Sequence, residues 1–273
     1  MLGNLALDEI QTRDITKALD IIVARGAPIH ANRVLSTIKQ SLNYGVSRGC
    51  VQHNVAANIR ARDIGGVEKP RDRFLTMTEI KKVWLFLDSE ENQMSLHLSS
   101  AIKIILLAGV RTAELRLARW TEFNFEESLW IIPAEHSKAA IIMKIHLSEQ
   151  LKEIFLRMKQ ASDSIYVMPT EDGKRPVAEQ ALPRAINRIQ KRIGIPKWTP
   201  HDIRRSFATG LGEILRIDAV VIEKLLGHKL PRIMATYNKN EMLQERKEAL
   251  NAWGQLIENL VTNSNVTPLR HVM

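Results

Sequence analysis

The sequence predicts an α+β chain, mostly α: a small helical region followed by a larger helical domain carrying a small antiparallel sheet. Three observations predict it. Apolar residues recur at helical spacing over most of the 273 residues. One stretch beyond Trp120 switches to short extended runs around a polar turn. A polar segment from Asp63 to Asp72, with Gly65-Gly66 and Pro70, separates two parts, which sets the domains at residues 1–68 and 69–273.

In the first part, Thr12 or Asp14 can cap a helix through Ile15, Leu19, Ile22 and Val23 that stops at Gly26. Pro28 opens a longer helix through Val34, Leu35, Ile38, Leu42 and Val46, ending at Gly49. A short helical turn follows Asn54. The second part opens on a capping box, Thr76 and Glu79, ahead of Ile80, Val83, Trp84 and Leu87. Leu96 to Ala108 reads as a buried helix stopped by Gly109. Phe123, Phe125, Leu129, Ile131 and Pro133 flank the turn Glu126-Glu127-Ser128, and Ile141 to Leu147 adds another extended run. Helices are then expected at Ser148–Gln160, Pro183–Ile193, Pro200–Gly212, Asp218–Leu226 and Glu241–Val261, before a loose polar tail, Asn263–Met273.

Composition narrows the function. The net charge is +9 and both parts are basic, which suits a protein that follows a phosphate backbone; a solvated cationic surface is the plainer reading. The longest apolar stretch, Ala101 to Val110, contains Lys103, so no span of a bilayer is expected. Met1-Leu2-Gly3-Asn4 lacks the features of a secretory signal, and a lone cysteine, Cys50, allows neither an internal disulfide nor a Cys-based zinc site. An intracellular setting is expected. ATPase, metallonuclease and hydrolase readings find no support in a phosphate-cradling Gly-rich loop, a metal-binding His pair or a nucleophile elbow.

Four clusters hold basic or nucleophilic residues that packing does not demand. Arg111 sits in the junction Gly109-Val110-Arg111-Thr112 between two helices, with Thr112 as the cap of the second; it can grip a phosphate or pair with Glu114. Lys138 stands at a hairpin tip, where it can reach a DNA groove or simply be solvated. His201 and Arg204 lie three residues apart in the first turn of a helix opened by Pro200, on nearly one face, at the positive end of the dipole; a local hydrogen bond of the His is the alternative. His228 follows Gly227 at a helix C-terminus, where the dipole favours a protonated ring. Nine residues on, Tyr237 lies in polar surroundings, either a nucleophile or a half-buried packing residue.

Taken together, Arg111, Lys138, His201-x-x-Arg204, His228 and Tyr237 resemble in order and spacing the catalytic domain of the tyrosine recombinase, or phage integrase, family, over about residues 73–260. Gly109-Val110-Arg111-Thr112-Ala113-Glu114-Leu115, Ala118-Arg119-Trp120 and Trp130-Ile131-Ile132-Pro133-Ala134-Glu135 resemble the prophage and genomic-island integrases. The resemblance implies strand cleavage and rejoining through a 3′-phosphotyrosyl intermediate on Tyr237, without metal, cofactor or ATP. Arg111, Arg204 and His228 would hold the phosphate, His201 would act as base and Lys138 as acid. It implies attachment-site double-stranded DNA as partner, a tetramer on DNA against a monomer in solution, accessory DNA-bending proteins, and a cytoplasmic, nucleoid-associated setting without membrane. Residues 12–63 would belong to the core-binding domain. An arm-binding domain and the first helix or two of the core-binding region are expected to be missing, as in a shortened prophage remnant. A type IB topoisomerase and a non-catalytic DNA-binding relic are the alternatives.

Overall fold

The computed structural model describes residues 3, 5–68, 72–228 and 240–262, and the chain divides into two compact units, Met1–Asp72 and Arg73–Met273. Tyr237 and the tail Asn263–Met273 lie outside the described residues.

The first unit is helical: α1 (Thr12–Ala24), α2 (Pro28–Ser47) and the single turn α3 (Ala61–Ile64). Ile15, Leu19, Leu35 and Leu42 fill its core together with Ala31, Ala56 and Ile59. Neither expected residue caps α1. Gln11 holds the cap position, its N–H donating to Asp14 Oδ2 at 3.0 Å, while the Thr12 hydroxyl turns away to Val55 O at 2.8 Å. The polar segment also begins later than its composition suggests. Residues to Ile64 are helical, and Gly65 and Gly66 are bound to the Asn32 side chain, which accepts from Gly65 N–H and donates to Gly66 O, both at 3.0 Å. Gly45-Val46-Ser47-Arg48-Gly49 matches the letters of a nucleophile elbow that the sequence reading passed over. It closes a helix rather than joining strand to helix, and Ser47 donates to Tyr44 O at 2.8 Å, so it is no elbow.

In the second unit α4 (Met77–Asp88) starts as expected: Thr76 Oγ1 accepts from Glu79 N–H at 3.3 Å and Glu79 Oε2 accepts from Thr76 N–H at 2.9 Å. The hub is α5 (Leu96–Ala108), whose residues from Ser99 to Ala108 are all buried. A helix apolar on all sides must be enclosed, and α7 (Glu149–Gln160), α8 (Ala181–Ile193), α9 (Pro200–Glu213) and α11 (Leu243–Thr262) enclose it. α8 begins two residues before the expected Pro183, which occupies the third helical position, where its missing N–H costs nothing.

Between α6 (Thr112–Leu117) and α7 lies an antiparallel sheet in the order β1 (Phe123–Asn124), β2 (Leu129–Ile132), β3 (Met143–His146). Trp130 pairs with Ile145 and Ile131 with Lys144. Alternation along β2 buries Trp130 and Ile132 and leaves Ile131 on the outer face, the opposite parity to the residues the sequence pattern picked out. Trp130 decides the parity. It stacks on Phe123 at 5.1 Å, meets Phe155 of α7 edge-on at 5.6 Å, and donates its indole N–H to Glu122 at 3.0 Å. β3 is shorter than the Ile141–Leu147 run, with Ile141 and Ile142 exposed in the β2–β3 connection.

Among the described residues no helix is long and apolar enough to cross a membrane.

Candidate nucleic-acid active site

Two helix ends build the site. α5 ends at Gly109, in the left-handed region with φ +62°, and its N–H closes on Ile105 O at 2.9 Å. A side chain there would begin 2.3 Å from the ring of the buried Phe207, so the close packing of α5 on α9 also requires glycine. α10 (Ala219–Leu225) ends in a Schellman turn: His228 N–H reaches Glu223 O at 3.0 Å and Gly227 N–H reaches Lys224 O at 3.1 Å.

Carbonyls at these two ends are taken by two arginines. Arg204 of α9, only 5% exposed, donates to Gly109 O and to Leu226 O. Arg111 donates to Gly227 O at 3.4 Å and to Glu114 Oε1 at 2.7 Å. Glu114, fully buried, also accepts from Arg111 N–H at 2.7 Å. Arg111 therefore occupies the cap position of α6, correcting the expected Thr112. Of the two sequence readings of Arg111, the pairing with Glu114 is present, and the side chain also lines the cleft. Burial, then the neighbouring Arg111 charge, pulls the Arg204 guanidinium down to about 10, so it stays charged at neutral pH.

Thr199 and Asp202 cap α9 reciprocally, Asp202 Oδ2 accepting from Thr199 N–H at 2.8 Å, with Pro200 in the first turn. That cap places His201 at the cleft mouth. Burial and the charges of Arg205 and Arg204 push its imidazole below the usual 6.5, leaving it neutral and able to accept a proton at pH 7. His228 is partly exposed; its Nδ1 lies 2.8 Å from Glu223 Oε2 and its Nε2 3.4 Å from Arg204 Nη2. Lys138 is exposed in the β2–β3 connection.

Arg111, Lys138, His201, Arg204 and His228 thus line one open cleft of about 1070 Å³ in the second unit. Tyr237, the sixth expected residue, lies outside the described residues. Glu223 went unnoticed in the sequence. Its signal was there: an acid in the last turn of a helix opposes the dipole and calls for another partner.

A mostly helical domain with a small antiparallel sheet, presenting Arg, Lys, His-x-x-Arg and His on one cleft, is the catalytic fold of a tyrosine recombinase, and the chain belongs to the phage integrase family. Residues 73–244 match that family's profile, and residues 1–62 match the phage integrase central domain. Prophage integrase IntZ of Escherichia coli K12 is 27% identical over 271 residues, covering 98% of this chain and 65% of the relative. The integrase of Enterobacteria phage P4 is 24% identical, covering 94% of this chain and 61% of its own length. This chain therefore spans just under two thirds of these relatives. Among solved structures, a lambda integrase dimer bound to a COC′ core site has a TM-score of 0.67 at 21% identity, covering 88% of this chain and 83% of the other. The Tn1549 transposon integrase in complex with circular intermediate DNA has a TM-score of 0.65 at 16% identity, covering 90% and 87%.

Proposed function

We propose that this chain is a site-specific recombinase that cleaves and rejoins double-stranded DNA at attachment sites through Tyr237. The observation that carries the reading is the convergence of Arg111, Lys138, His201, Arg204 and His228 on one open, cationic cleft. A phosphodiester entering it brings charge on its non-bridging oxygens, which increases in importance as phosphorus becomes five-coordinate. Arg111 and Arg204, held by helix-end carbonyls, supply fixed donors for those oxygens, and His228 adds a third.

Tyr237 Oη bonds to phosphorus and the bond from phosphorus to the 5′ oxygen breaks. The phenolic proton passes to His201, whose lowered pKa keeps it free to take it. Lys138, on its exposed loop, gives a proton to the departing 5′ oxygen. The 3′-phosphotyrosyl linkage keeps the energy of the broken bond, so a 5′ hydroxyl of a partner duplex reverses the steps and no nucleotide is consumed. Residues 1–68 act as the core-binding unit and 69–273 as the catalytic one, working as a tetramer on DNA.

The test is incubation with duplexes carrying candidate attachment sites, including nicked ones, followed by a denaturing gel. A covalent protein–DNA adduct is expected, absent from Tyr237→Phe. Arg204→Ala should lose about 3 kcal/mol of transition-state stabilisation. Binding without an adduct on any duplex refutes the catalytic reading, and relaxation of supercoiled plasmid without strand exchange points to a topoisomerase.

A further inference from the structure

We propose that Glu223 is a positioning residue for His228: it fixes the ring with Nδ1–H directed at its carboxylate, so that Nε2 faces Arg204 and the phosphate position. The inference rests on the catalytic reading above, and it assigns a residue outside the six that the sequence pattern singles out.

Three features lead to it. Glu223 stands in the last turn of α10, where an acidic side chain faces the negative end of the helix dipole and is locally unfavourable. The Schellman turn then folds the chain back, joining His228 N–H to Glu223 O at 3.0 Å and bringing the two side chains to 2.8 Å. On the other side of the ring, Arg204 Nη2 is 3.4 Å from Nε2. A guanidinium can only donate, and at 3.4 Å, with Nη2 already engaged by Leu226 O, it is compatible with a lone pair on Nε2 without imposing one. The Glu223 carboxylate, which can only accept and lies at the shorter 2.8 Å, is the group that holds the ring proton on Nδ1.

The other groups around the ring reinforce this. His201 and Arg204 face it from α9, and Arg111, paired to Glu114, reaches Gly227 O beside it. From β3 the Met143 thioether packs against Gly227. Of these, Glu223 is the carboxylate within hydrogen-bond distance of the ring. When a phosphate enters, the ring takes up a second proton from solvent at Nε2, and that N–H hydrogen-bonds a phosphate oxygen. The Glu223 carboxylate balances the imidazolium. The logic is that of a carboxylate orienting a histidine whose other nitrogen does the work.

The experiment has a structural arm and a kinetic arm, both on the full chain. Ring 15N NMR of the DNA-free protein, with His228→Ala identifying the signal, should show the Nδ1–H tautomer in the wild type and its loss in Glu223→Ala. Single-turnover adduct formation should slow by about 10- to 100-fold in Glu223→Ala. Glu223→Gln can still accept the Nδ1–H bond but carries no charge. It should keep the tautomer and slow adduct formation less than Glu223→Ala does. Glu223→Ala placed on His228→Ala should cause no further loss, with thermal midpoints confirming that every variant is folded. A wild-type ring protonated at Nε2, an unchanged tautomer in Glu223→Ala, a wild-type rate in that variant, or an equal loss in the His228→Ala background each overturns the assignment. A wild-type chain that forms no adduct sinks the recombinase reading instead, and the tautomer still decides the role of Glu223.

Discussion

Replacing Gly109 by alanine separates two costs that the structure makes calculable. The first is conformational: an L-residue forced to φ +62° loses about 1–2 kcal/mol. The second is steric. The new Cβ would sit 2.3 Å from Phe207 Cδ1, and Phe207 has nowhere to retreat. It is fully buried and meets Trp253 edge-on at 6.1 Å, while Trp253 is itself buried and anchored by its indole N–H to Leu106 O at 2.8 Å. Overpacking of this kind costs about 1–3 kcal/mol. The sum is about 2–5 kcal/mol, a fall in melting temperature on the order of 5–15 °C for a unit of this size. Gly194 supplies the control. It ends α8 with φ +68° and has open space where its Cβ would go, so Gly194→Ala should show the conformational cost alone, about 1–2 kcal/mol. Calorimetry and urea titration of both variants measure the difference. Equal losses, or a Gly109→Ala loss below that of Gly194→Ala, would refute the argument that Phe207 is pinned. Since Gly109 O also holds Arg204, Gly109→Ala should reduce adduct yield where Gly194→Ala does not.

Three further outcomes follow from the same geometry. Glu114→Ala leaves Arg111 without its buried partner and should cost on the order of 3 kcal/mol of stability, along with adduct formation, measured by denaturation and gel. His201, pushed below 6.5 by burial and by Arg205 and Arg204, should keep adduct formation on its plateau at neutral pH and let it fall only at pH values below 6.5; Arg205→Ala should move that acid limb upward. Lys103 is buried against Trp84 and paired to Asp88, and burial lowers its pKa from 10.5 despite the pairing. The unfolded chain therefore binds more protons in the window just below 10.5, so this group's contribution to stability rises with pH there. Lys103→Met should match or exceed the wild type in melting temperature and remove that dependence, while Asp88→Ala should lower it.

What was legible in the sequence follows the range of the interaction that decides each feature. Local chemistry could be read directly: Thr76 and Glu79 cap α4, Pro28 opens α2, and the apolar run of α5 is buried along its length. Features decided across the fold were not. The parity of β2 depends on Phe155, 25 positions after Trp130, and Gly65-Gly66 reads as free punctuation because Asn32, which binds both, is more than thirty residues upstream. The site divides in the same way. The types and spacing of Arg111, His201, Arg204 and His228 were visible, but Arg204 meets Gly109 across 95 positions, and no local pattern shows that meeting.

That long-range meeting explains why an arginine pair is stable in the absence of substrate. Two guanidiniums close enough for one to depress the other would separate if each were held only by its own helix. Here they are tied to main-chain carbonyls at the ends of α5 and α10, where two helix dipoles present their negative poles. Glu114 and Glu223 offset part of the remaining charge on Arg204. Carbonyls are fixed dipoles and do not neutralise a cation, so the pocket keeps an unmet positive potential with its donors already oriented. On the proposed recombinase reading, an entering phosphate would supply the missing charge without requiring the arginines to move, and little reorganisation would remain to be done as negative charge shifts in the transition state.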